Sequence, residues 1–571
     1  MARDAPDGLV LLGRAFALQQ AGRLADAEAL YAQVLAATPD DATALVNGGA
    51  VALARADLPL ALARFQRAAR LAPGNAPARN NLGYALLRAG RASEALAVLD
   101  AALALAGNYA QAHNNRGIAL AELNRPQEAL AAFERALALE PNHLEAAQNL
   151  GEQCNAAGDG ARAAAAFDRV LAAHPQLTPA RAGRALAQAL QGDLRGAIAA
   201  LEAVTAADRS DAAAWQTLGA VRNWAWDHAG AEDAFRHALV LQPADTDAQF
   251  GIASTLLARG SYAEGWSAFD RRPDRAAESG AAFAALPVWD GAAFHGTLVV
   301  HGEQGFGDVV QFARFVAAAR ARVDELVLLV DGYRAPLAPL LRSVAGADAV
   351  VADAGDLEAT GDVRRISILS LPQRLRIDAD RIGAGLRYLA PPADRAAEWA
   401  ARIAAIPAPR VGLAWSVLSR DTHGFVTRHK SVPTAVLVPV VRMPGVSFVS
   451  LQPGAAGDPA GFGADAACVI DLRAHIGDFA DTAALIDALD LVVTADTAVA
   501  HVAGALGKPV FLLDRFNSCW RWRPESAMSP WYPTLRIFRQ ERFGDWDSVA
   551  RALVPALAQW RRELAAAAGT C

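Results

Sequence analysis

A period of 34 residues runs through nearly half of the chain, from about residue 8 to about residue 275. Glycines recur at one phase of it, aromatic residues at another and prolines at a third. Examples are Gly49, Gly83, Gly117, Gly151 and Gly219; Phe65, Phe133, Phe167, Phe235 and Phe269; and Pro39, Pro73, Pro141, Pro175 and Pro243. The pattern therefore predicts that each of about eight units forms two amphipathic helices, which approach each other closely at the small residues. The aromatic residue would lie between neighbouring units, and the proline would end the second helix.

This pattern resembles the tetratricopeptide repeat, and the resemblance implies a superhelix whose concave groove binds extended polypeptides. Four asparagines share one phase on the first helix of successive units: Asn47, Asn81, Asn115 and Asn149. A ladder of side-chain amides can pair with a peptide backbone whatever side chains the peptide carries. Asparagine at this phase also packs helices together, so peptide binding and helix packing both remain open.

The repeat stops near residues 271–290, and short apolar runs then alternate with helical stretches. This alternation predicts parallel sheets that are covered on both faces. A second start near residue 407, after a linker with Pro391 and Pro392, indicates two such sheets. The predicted strands are Thr297–His301, Leu326–Asp331, Ala349–Ala352, Ile366–Leu369, Val411–Trp415, Ser447–Leu451, Val469–Leu472, Leu491–Thr494, Val510–Leu513 and Leu535–Phe538. Ligands of open α/β sheets bind beyond the carboxyl ends of the strands, so we expect a site in the cleft between the two sheets.

The first predicted strand ends in a glycine-rich loop, Gly302–Asp308, that leads into a helix. Its glycines would let the backbone turn tightly, and the helix N-terminus would offer free amides to an anion. The spacing GxxGxG differs from the dinucleotide-binding GxGxxG, although Asp331 after the next strand keeps a dehydrogenase as an alternative. Asp308 is either a helix cap or a general base that accepts the proton of an acceptor hydroxyl.

The segment from Leu491 to Val510 reads as strand, polar turn, helix and strand. Thr497 and the amides that follow it predict a helix N-terminus suited to a phosphate. Asp496 could bind a sugar hydroxyl or cap that helix. His501 lies four residues after Thr497 on the same helix face, and we favour a hydrogen-bonded structural histidine over proton transfer.

These motifs resemble those of heptosyltransferase-like glycosyltransferases of the GT-B fold. The run from Asp496 to Val510 resembles the family's nucleotide-sugar motif, with Ala498 where glycine or serine is frequent. Gly307-Asp308 resembles the Gly-Asp motif whose aspartate is the proposed base, and His429-Lys430-Ser431 resembles the basic segment that meets the donor diphosphate. The resemblance implies that Asp308 is catalytic and that the donor-binding residues are Gly305, Gly307, Lys430, Asp496, Thr497, Ala498, Val499 and His501.

The runs Trp520–Arg523 and Ser529–Pro533 resemble the tail of a bacterial subgroup in which this domain follows tetratricopeptide repeats. That subgroup includes flagellin glycosyltransferases, which dock flagellin on the repeats and attach a sugar, typically a nonulosonic acid, to serine or threonine. The plan also resembles protein O-GlcNAc transferase. The resemblance therefore implies a protein O-glycosyltransferase with flagellin as acceptor, a nucleotide-sugar as co-substrate and no cofactor. An inactive transferase fold that serves as a scaffold, and transfer to a lipid-linked saccharide, remain alternatives.

Only two of the 54 basic residues are lysines, Lys430 and Lys508, and both fall in the last predicted lobe. A compact ammonium is not equivalent to a planar guanidinium, so Lys430 is predicted to contact the donor diphosphate, with Arg420 and Arg428 as alternatives. Lys508 is interpreted as a solvated loop residue. No DxD metal motif stands out, and basic side chains could neutralise the leaving group, which favours metal-independent transfer.

The composition excludes several classes of protein. Apolar residues make up 53% and charged residues 20%, which excludes a mostly disordered chain. The net charge of −6 argues against general binding of nucleic acid or anionic membranes. The four cysteines form no CxxC pair, so neither a disulfide framework nor a zinc cluster is predicted. With no signal peptide and no long apolar run, we expect a cytoplasmic chain with no membrane span.

The predicted fold class is therefore α + α/β. A tetratricopeptide superhelix would occupy residues 8–275. It would be followed by a two-lobed GT-B domain, with a Rossmann-like lobe at residues 290–395 and a nucleotide-sugar-binding lobe at residues 408–560.

Overall fold

The computed structural model describes residues 8–358, 361–383, 387–417, 430–454, 457–523 and 526–569. The chain divides into two compact units, one that ends at Leu190 and one that begins at Gln191. The division falls inside the 34-residue pattern, which shows no break at this position. Among the described residues, no helix combines the length and the hydropathy that a membrane crossing requires.

The first unit consists of consecutive helix pairs. They are α1 (Gly8–Gln20), α2 (Leu24–Ala37), α3 (Ala42–Ala54), α4 (Leu58–Leu71), α5 (Ala76–Arg88), α6 (Ala92–Leu105), α7 (Ala110–Glu122), α8 (Pro126–Leu139), α9 (Leu144–Ala156), α10 (Gly160–Ala173) and α11 (Thr178–Leu190). The repeat continues in the second unit with α12 (Leu194–Ala207), α13 (Ala212–Trp224), α14 (His228–Leu241), α15 (Thr246–Ala258) and α16 (Tyr262–Phe269). Many of these helices begin at an aspartate or asparagine that accepts a backbone N–H of the first turn, as Asp41 does from Ala44 at 2.8 Å.

The glycines of the repeat sit where the aromatic side chains need room, and the contact lies within a helix pair as well as between neighbouring units. A Cβ atom at Gly117 would lie 2.5 Å from the Phe133 ring, and one at Gly49 would lie 2.7 Å from the Phe65 ring. Phe133 and Phe65 are almost completely buried. The close approach of the two helices in each pair therefore depends on the absence of a side chain at these positions.

The second unit continues with a parallel four-stranded sheet in the order β3-β2-β1-β4. Its strands are β1 (Phe294–His301), β2 (Val323–Leu329), β3 (Ala349–Val351) and β4 (Val363–Ser367). Helices α17 (Ala281–Ala284), α18 (Phe306–Phe312), α19 (Val316–Arg320), α20 (Ala338–Leu341), α21 (Leu371–Leu375), α22 (Ala379–Ile382) and α23 (Ala393–Ile403) accompany it. His301 pairs with Leu329 on one side and Ser367 on the other, so three strands end at one edge.

A parallel six-stranded sheet follows, in the order β10-β9-β8-β5-β6-β7. Its strands are β5 (Arg410–Ala414), β6 (Ser447–Ser450), β7 (Val469–Ile470), β8 (Leu491–Ala495), β9 (Val510–Asp514) and β10 (Leu535–Arg539). Its helices are α24 (Thr434–Val441), α25 (Phe479–Asp487), α26 (Ala498–Ala505) and α27 (Trp546–Gly569). The prediction of two parallel sheets is confirmed, and all ten predicted strands are present, with ends within three residues of those predicted.

One hydrophobic core joins the last repeat helices to both sheets. Trp266 of α16, Leu298 of β1 and Val492 of β8 belong to the same cluster of buried side chains. The Trp266 indole donates a hydrogen bond of 3.1 Å to the carbonyl of Ile377. Arg272, which closely follows α16, forms a buried ion pair with Glu303 at 2.8 Å. The end of the repeat is thus part of the packing that fixes the loop after β1.

Replacing Gly117 by alanine should destabilise the first unit. The added Cβ would overlap the Phe133 ring, and overpacking of this kind costs about 1–3 kcal/mol, more than the helix propensity gained by removing glycine. Gly13→Ala is the matched control, because nothing lies within 4 Å of its Cβ position in α1. Thermal unfolding should show a lower midpoint for Gly117→Ala and an unchanged or higher midpoint for Gly13→Ala. Equal stability of the two variants would contradict the packing argument.

Candidate active site

The two sheets meet at the helices that follow β1 and β8. Gly307 in α18 lies against His501 in α26, where a Cβ on Gly307 would come within 2.7 Å of the His501 ring. This close approach brings the glycine-rich loop of the first sheet next to the polar turn of the second. The two segments that the sequence singles out therefore share one location.

The glycine-rich loop turns at a residue in the left-handed region of backbone conformation, and this residue is not a glycine. Gln304 has φ of 57°, whereas Gly302, Gly305 and Gly307 are absent from the left-handed region. The Gln304 carbonyl accepts hydrogen bonds from the Tyr333 hydroxyl and, at 3.1 Å, from Arg334. The prediction that glycines make the tight turn is thus wrong, since Gln304 makes it and Gly307 permits the contact with His501.

Asp308 both caps its helix and faces a cation. Its Oδ2 accepts the backbone N–H of Gly305 at 3.0 Å, and its Oδ1 pairs with the guanidinium of Arg521. Arg521 also donates through Nε to Gln311, one turn further along α18, at 2.5 Å. The Asp308 side chain remains 22% exposed, so a reactant can reach it.

Asp496, directly after β8, is buried and paired with Lys430. The Lys430 Nζ lies 2.6 Å from Asp496 Oδ2, and the Trp522 indole donates to Asp496 Oδ1 at 3.1 Å. Burial by itself would raise the pKa of Asp496, but the Lys430 ammonium and its hydrogen bond hold that pKa well below its usual range. Asp496 is therefore a permanent negative charge with a fixed partner.

The helix N-terminus that the sequence predicts is present, but Thr497 and not Asp496 is the residue that caps α26. Its Oγ1 accepts the backbone N–H of Val499 at 3.2 Å and lies 3.3 Å from the hydroxyl oxygen of Thr494. Thr497 and Ala498 are partly exposed, whereas Val499 is buried. The first amides of α26 thus lie beside the pair of Asp496 and Lys430, and an anion here would meet both the helix dipole and a lysine.

His501 is a buried side chain with a hydrogen-bond partner. Its Nδ1 lies 3.0 Å from the Tyr532 hydroxyl, and its ring stacks on Trp522 with 5.6 Å between centroids. Burial, together with the positive charge of Arg521, lowers the pKa of His501 to about 3. His501 is therefore neutral at physiological pH and positions its neighbours.

Behind His501 lies a partly buried arginine, Arg314, in an aromatic cage. The Arg314 guanidinium lies 4.7 Å from the ring centroids of both Tyr388 and Tyr532, and it donates to the carbonyls of Ile382 and Trp531 at 2.7 and 2.8 Å. Tyr532 in turn contacts His501, so this cage holds the His501 ring in its place between α18 and α26.

The sequence patterns indicate no role for Arg521 or Trp522 in the site. Both belong to the run Trp520-Arg521-Trp522-Arg523, whose side chains reach in different directions. Trp520 packs on Trp266, with 5.7 Å between ring centroids, and Arg523 donates to the Tyr262 hydroxyl at 2.9 Å. The high density of tryptophan and arginine in this run is the sequence feature that could have drawn attention to it. Only the fold shows that Arg521 reaches Asp308 and that Trp522 reaches Asp496.

Lys508 is not a solvated loop residue, because its ammonium donates to the carbonyls of Asp487 and Leu489, the second at 3.2 Å, and so ties the loop before β9 to the end of α25. Arg420, Arg428 and His429 lie outside the described residues. Within the described part of the chain, no group of acidic, histidine or cysteine side chains could hold a metal ion.

The asparagines of the repeat differ from one another in exposure. Asn115 is buried, and its Nδ2 donates to Asn80 of the preceding pair at 2.9 Å. Asn149 donates in the same way to Asn114 at 2.9 Å, but it keeps partial exposure, as do Asn47 and Asn81. Asn115 is therefore engaged in packing between helix pairs, one of the two roles that the sequence left open.

Comparison with known proteins gives two kinds of match. A model described as Glycosyltransferase family 9 (heptosyltransferase) matches residues 477–540, and models described as Tetratricopeptide repeat match residues 12–76, 46–113, 110–143 and 155–221. Protein FlbA of Caulobacter vibrioides is 30% identical over 429 residues, which cover 63% of this chain and 69% of that protein.

Solved structures match the helical region. A tetratricopeptide repeat protein from Parabacteroides merdae is 17% identical, with a TM-score of 0.36, over 44% of this chain and 98% of its own. A thermophilic tetratricopeptide repeat protein from Thermus thermophilus is 25% identical, with a TM-score of 0.29, over 32% of this chain and 100% of its own.

The buried His501 should make stability depend on pH. Its pKa of about 3 in the folded state lies below the ordinary value near 6.5, so the unfolded chain binds more protons between these values. The stability is complete above pH 6.5 and falls as the pH decreases through this window, by about 1.4 kcal/mol per pH unit for this residue. Urea unfolding at pH 7, 6 and 5 should show a shallower dependence for His501→Gln. Parallel curves for the two proteins would contradict a buried neutral histidine.

Proposed function

The chain belongs to the same family as protein FlbA of Caulobacter vibrioides and is a glycosyltransferase with tetratricopeptide repeats, and from this premise we propose that it glycosylates a polypeptide. The donor is a nucleotide-sugar, and the acceptor is a serine or threonine hydroxyl. The observation that carries the proposal is the approach of Gly307 to His501, which places a partly exposed carboxylate, Asp308, beside the helix N-terminus at Thr497.

Asp308 acts as the general base. It accepts the proton of the acceptor hydroxyl while the hydroxyl oxygen attacks the anomeric carbon of the donor sugar. The bond from that carbon to the phosphate oxygen breaks, and its electron pair leaves with the nucleotide. One direct displacement inverts the configuration at the anomeric carbon. The hydrogen bond from Gly305 holds the carboxylate in place during the transfer.

The donor phosphate binds at the start of α26. The amides of Ala498 and Val499 and the Thr497 hydroxyl supply hydrogen bonds, and the positive end of the helix dipole stabilises the charge of the leaving group. Lys430 adds a positive charge 2.6 Å from Asp496, whose carboxylate is placed to bind a sugar hydroxyl. His501, Gly305 and Gly307 shape this site. These groups neutralise the leaving group without a metal ion, so we propose metal-independent transfer.

The repeats hold the polypeptide acceptor. Asn47, Asn81 and Asn149, which keep partial exposure, pair with its backbone, while Asn115 joins adjacent helix pairs. Flagellin is the acceptor and a nonulosonic acid the sugar that the sequence resemblance implies, and the reaction is assigned to the cytoplasm. An inactive scaffold or a transferase for a lipid-linked saccharide would give no labelled protein with any nucleotide-sugar.

Asp308→Asn should abolish transfer without weakening donor binding. Removing a general base costs about 10²–10⁴-fold in rate, and asparagine preserves the shape of the side chain. The assay is incorporation of label from a panel of nucleotide-sugars, including a CMP-linked nonulosonic acid, into purified flagellin. Asp331→Asn, a change just beyond the neighbouring strand β2, serves as the control and should retain transfer. Undiminished labelling by Asp308→Asn would show that Asp308 is not the general base.

Asn47→Ala combined with Asn81→Ala should raise KM for the protein acceptor by about 10-fold or more, since each amide contributes about 1 kcal/mol of hydrogen bonding. The KM for the donor should not change. Asn142→Ala, at an exposed turn position between two helices of the repeat, is the control. An acceptor KM equal to that of the control, in variants of equal thermal stability, would show that the acceptor binds elsewhere.

A further inference from the structure

We propose that Arg521 alternates between Asp308 and the donor phosphate, so that the base becomes available only after the donor has bound. This inference rests on the proposed function of the site. It assigns a phosphate-binding role to a residue outside both the glycine-rich loop and the polar turn. It also predicts an ordered reaction in which the donor binds first.

The geometry singles out Arg521 as a shared cation. Its guanidinium reaches α18, where it contacts Asp308 and Gln311. The neighbouring Trp522 donates to Asp496, and its ring stacks on His501. Arg521 is only 12% exposed, and its charge acts on both Asp496 and His501. One guanidinium therefore pairs with the carboxylate that follows β1 and lies within electrostatic reach of Asp496 and His501, beside the start of α26.

The two acid–base pairs of the site differ in how readily they can open. Asp496 is buried, so removal of Lys430 would leave an uncompensated charge in a medium of low dielectric constant. Asp308 is 22% exposed and keeps its hydrogen bond from Gly305, so it tolerates the loss of its cation far better. When a phosphate enters, Arg521 is thus the cation that can move, while Lys430 stays with Asp496.

The exchange has a chemical consequence for the base. With Arg521 on Oδ1 and Gly305 on Oδ2, both oxygens of Asp308 are engaged, and the guanidinium occupies the position that the acceptor hydroxyl would take. Transfer of Arg521 to the phosphate releases Oδ1 for the acceptor hydroxyl. The same movement places a guanidinium on the oxygen that receives the electron pair of the breaking bond.

A double-mutant cycle on nucleotide binding tests the exchange in the full-length protein. The probes are ADP, UDP, GDP and CMP, measured by calorimetry without acceptor. Arg521→Gln should weaken the binding of whichever nucleotide is recognised by about 10-fold or more, because a charge-assisted contact is lost. Asp308→Asn should instead bind it more tightly, by on the order of 10-fold, because the competitor for Arg521 is neutral. That gain should vanish in the double variant.

Arg536→Gln is the control, since this exposed arginine of β10 lies over the Phe538 ring, outside the run from Trp520 to Arg523, and should leave nucleotide affinity unchanged. Arg521→Lys should restore part of the affinity, and the thermal midpoints of all variants are compared with that of wild type. An Asp308→Asn protein that binds no more tightly than wild type overturns the exchange. So does a gain that persists in the Arg521→Gln background, because it would reflect simple repulsion by Asp308.

The same measurements separate this inference from the proposed function. Nucleotide binding with the expected cycle, but no labelling of protein, would remove the polypeptide acceptor and leave the exchange standing. Labelling of protein, together with an unchanged nucleotide affinity of Asp308→Asn, would support the polypeptide acceptor and overturn the exchange of Arg521. Failure of the wild type to bind any of the four nucleotides would overturn both.

Discussion

The contact between Gly307 and His501 is the constraint on which the site depends. The helices that follow β1 and β8 can touch here only because position 307 has no side chain and because the histidine ring is held by Tyr532 and Trp522. Each strand delivers its polar residues to the carboxyl edge of its own sheet, but the contact brings the two edges together. Without it, Asp308 and Asp496 would belong to two separate surfaces.

Around this contact, charge is balanced in pairs that differ in burial. The pair of Lys430 and Asp496 lies in the interior, where an unpaired charge would be costly, and it is braced by the Trp522 indole. The pair of Arg521 and Asp308 lies at the edge of the site, where water can replace a lost partner. Two ion pairs of similar composition therefore have different capacities for change. The difference comes from their surroundings rather than from the residues themselves.

The last repeat helices also belong to this arrangement. Trp266 in α16 shares a core with both sheets, and Arg272 just beyond it is paired with Glu303 in the loop before Asp308. The run from Trp520 to Arg523 is anchored to the same helices through Trp520 and Arg523. The repeat is thus continuous along the sequence, whereas packing assigns its final helices to the compact unit that contains the site. A periodic pattern reports local structure and cannot reveal where one core ends and another begins.

The sequence by itself determined the secondary structure and the identity of the motifs. A period of 34 with phased glycine and phenylalanine leaves little choice but paired helices, and apolar runs bounded by turns specified all ten strands, because both signals are local. The sequence also placed Asp308 and Thr497 at helix starts. It did not reveal the left-handed backbone conformation of Gln304, the burial of Asn115, the hydrogen bonds of Lys508 to backbone carbonyls or the ion pair of Arg521 with Asp308. Each of these depends on residues distant in the chain, as Arg521 and Asp308 are 213 positions apart. Only the tertiary structure could decide them, since burial and pairing are properties of the packed neighbours and not of the residue.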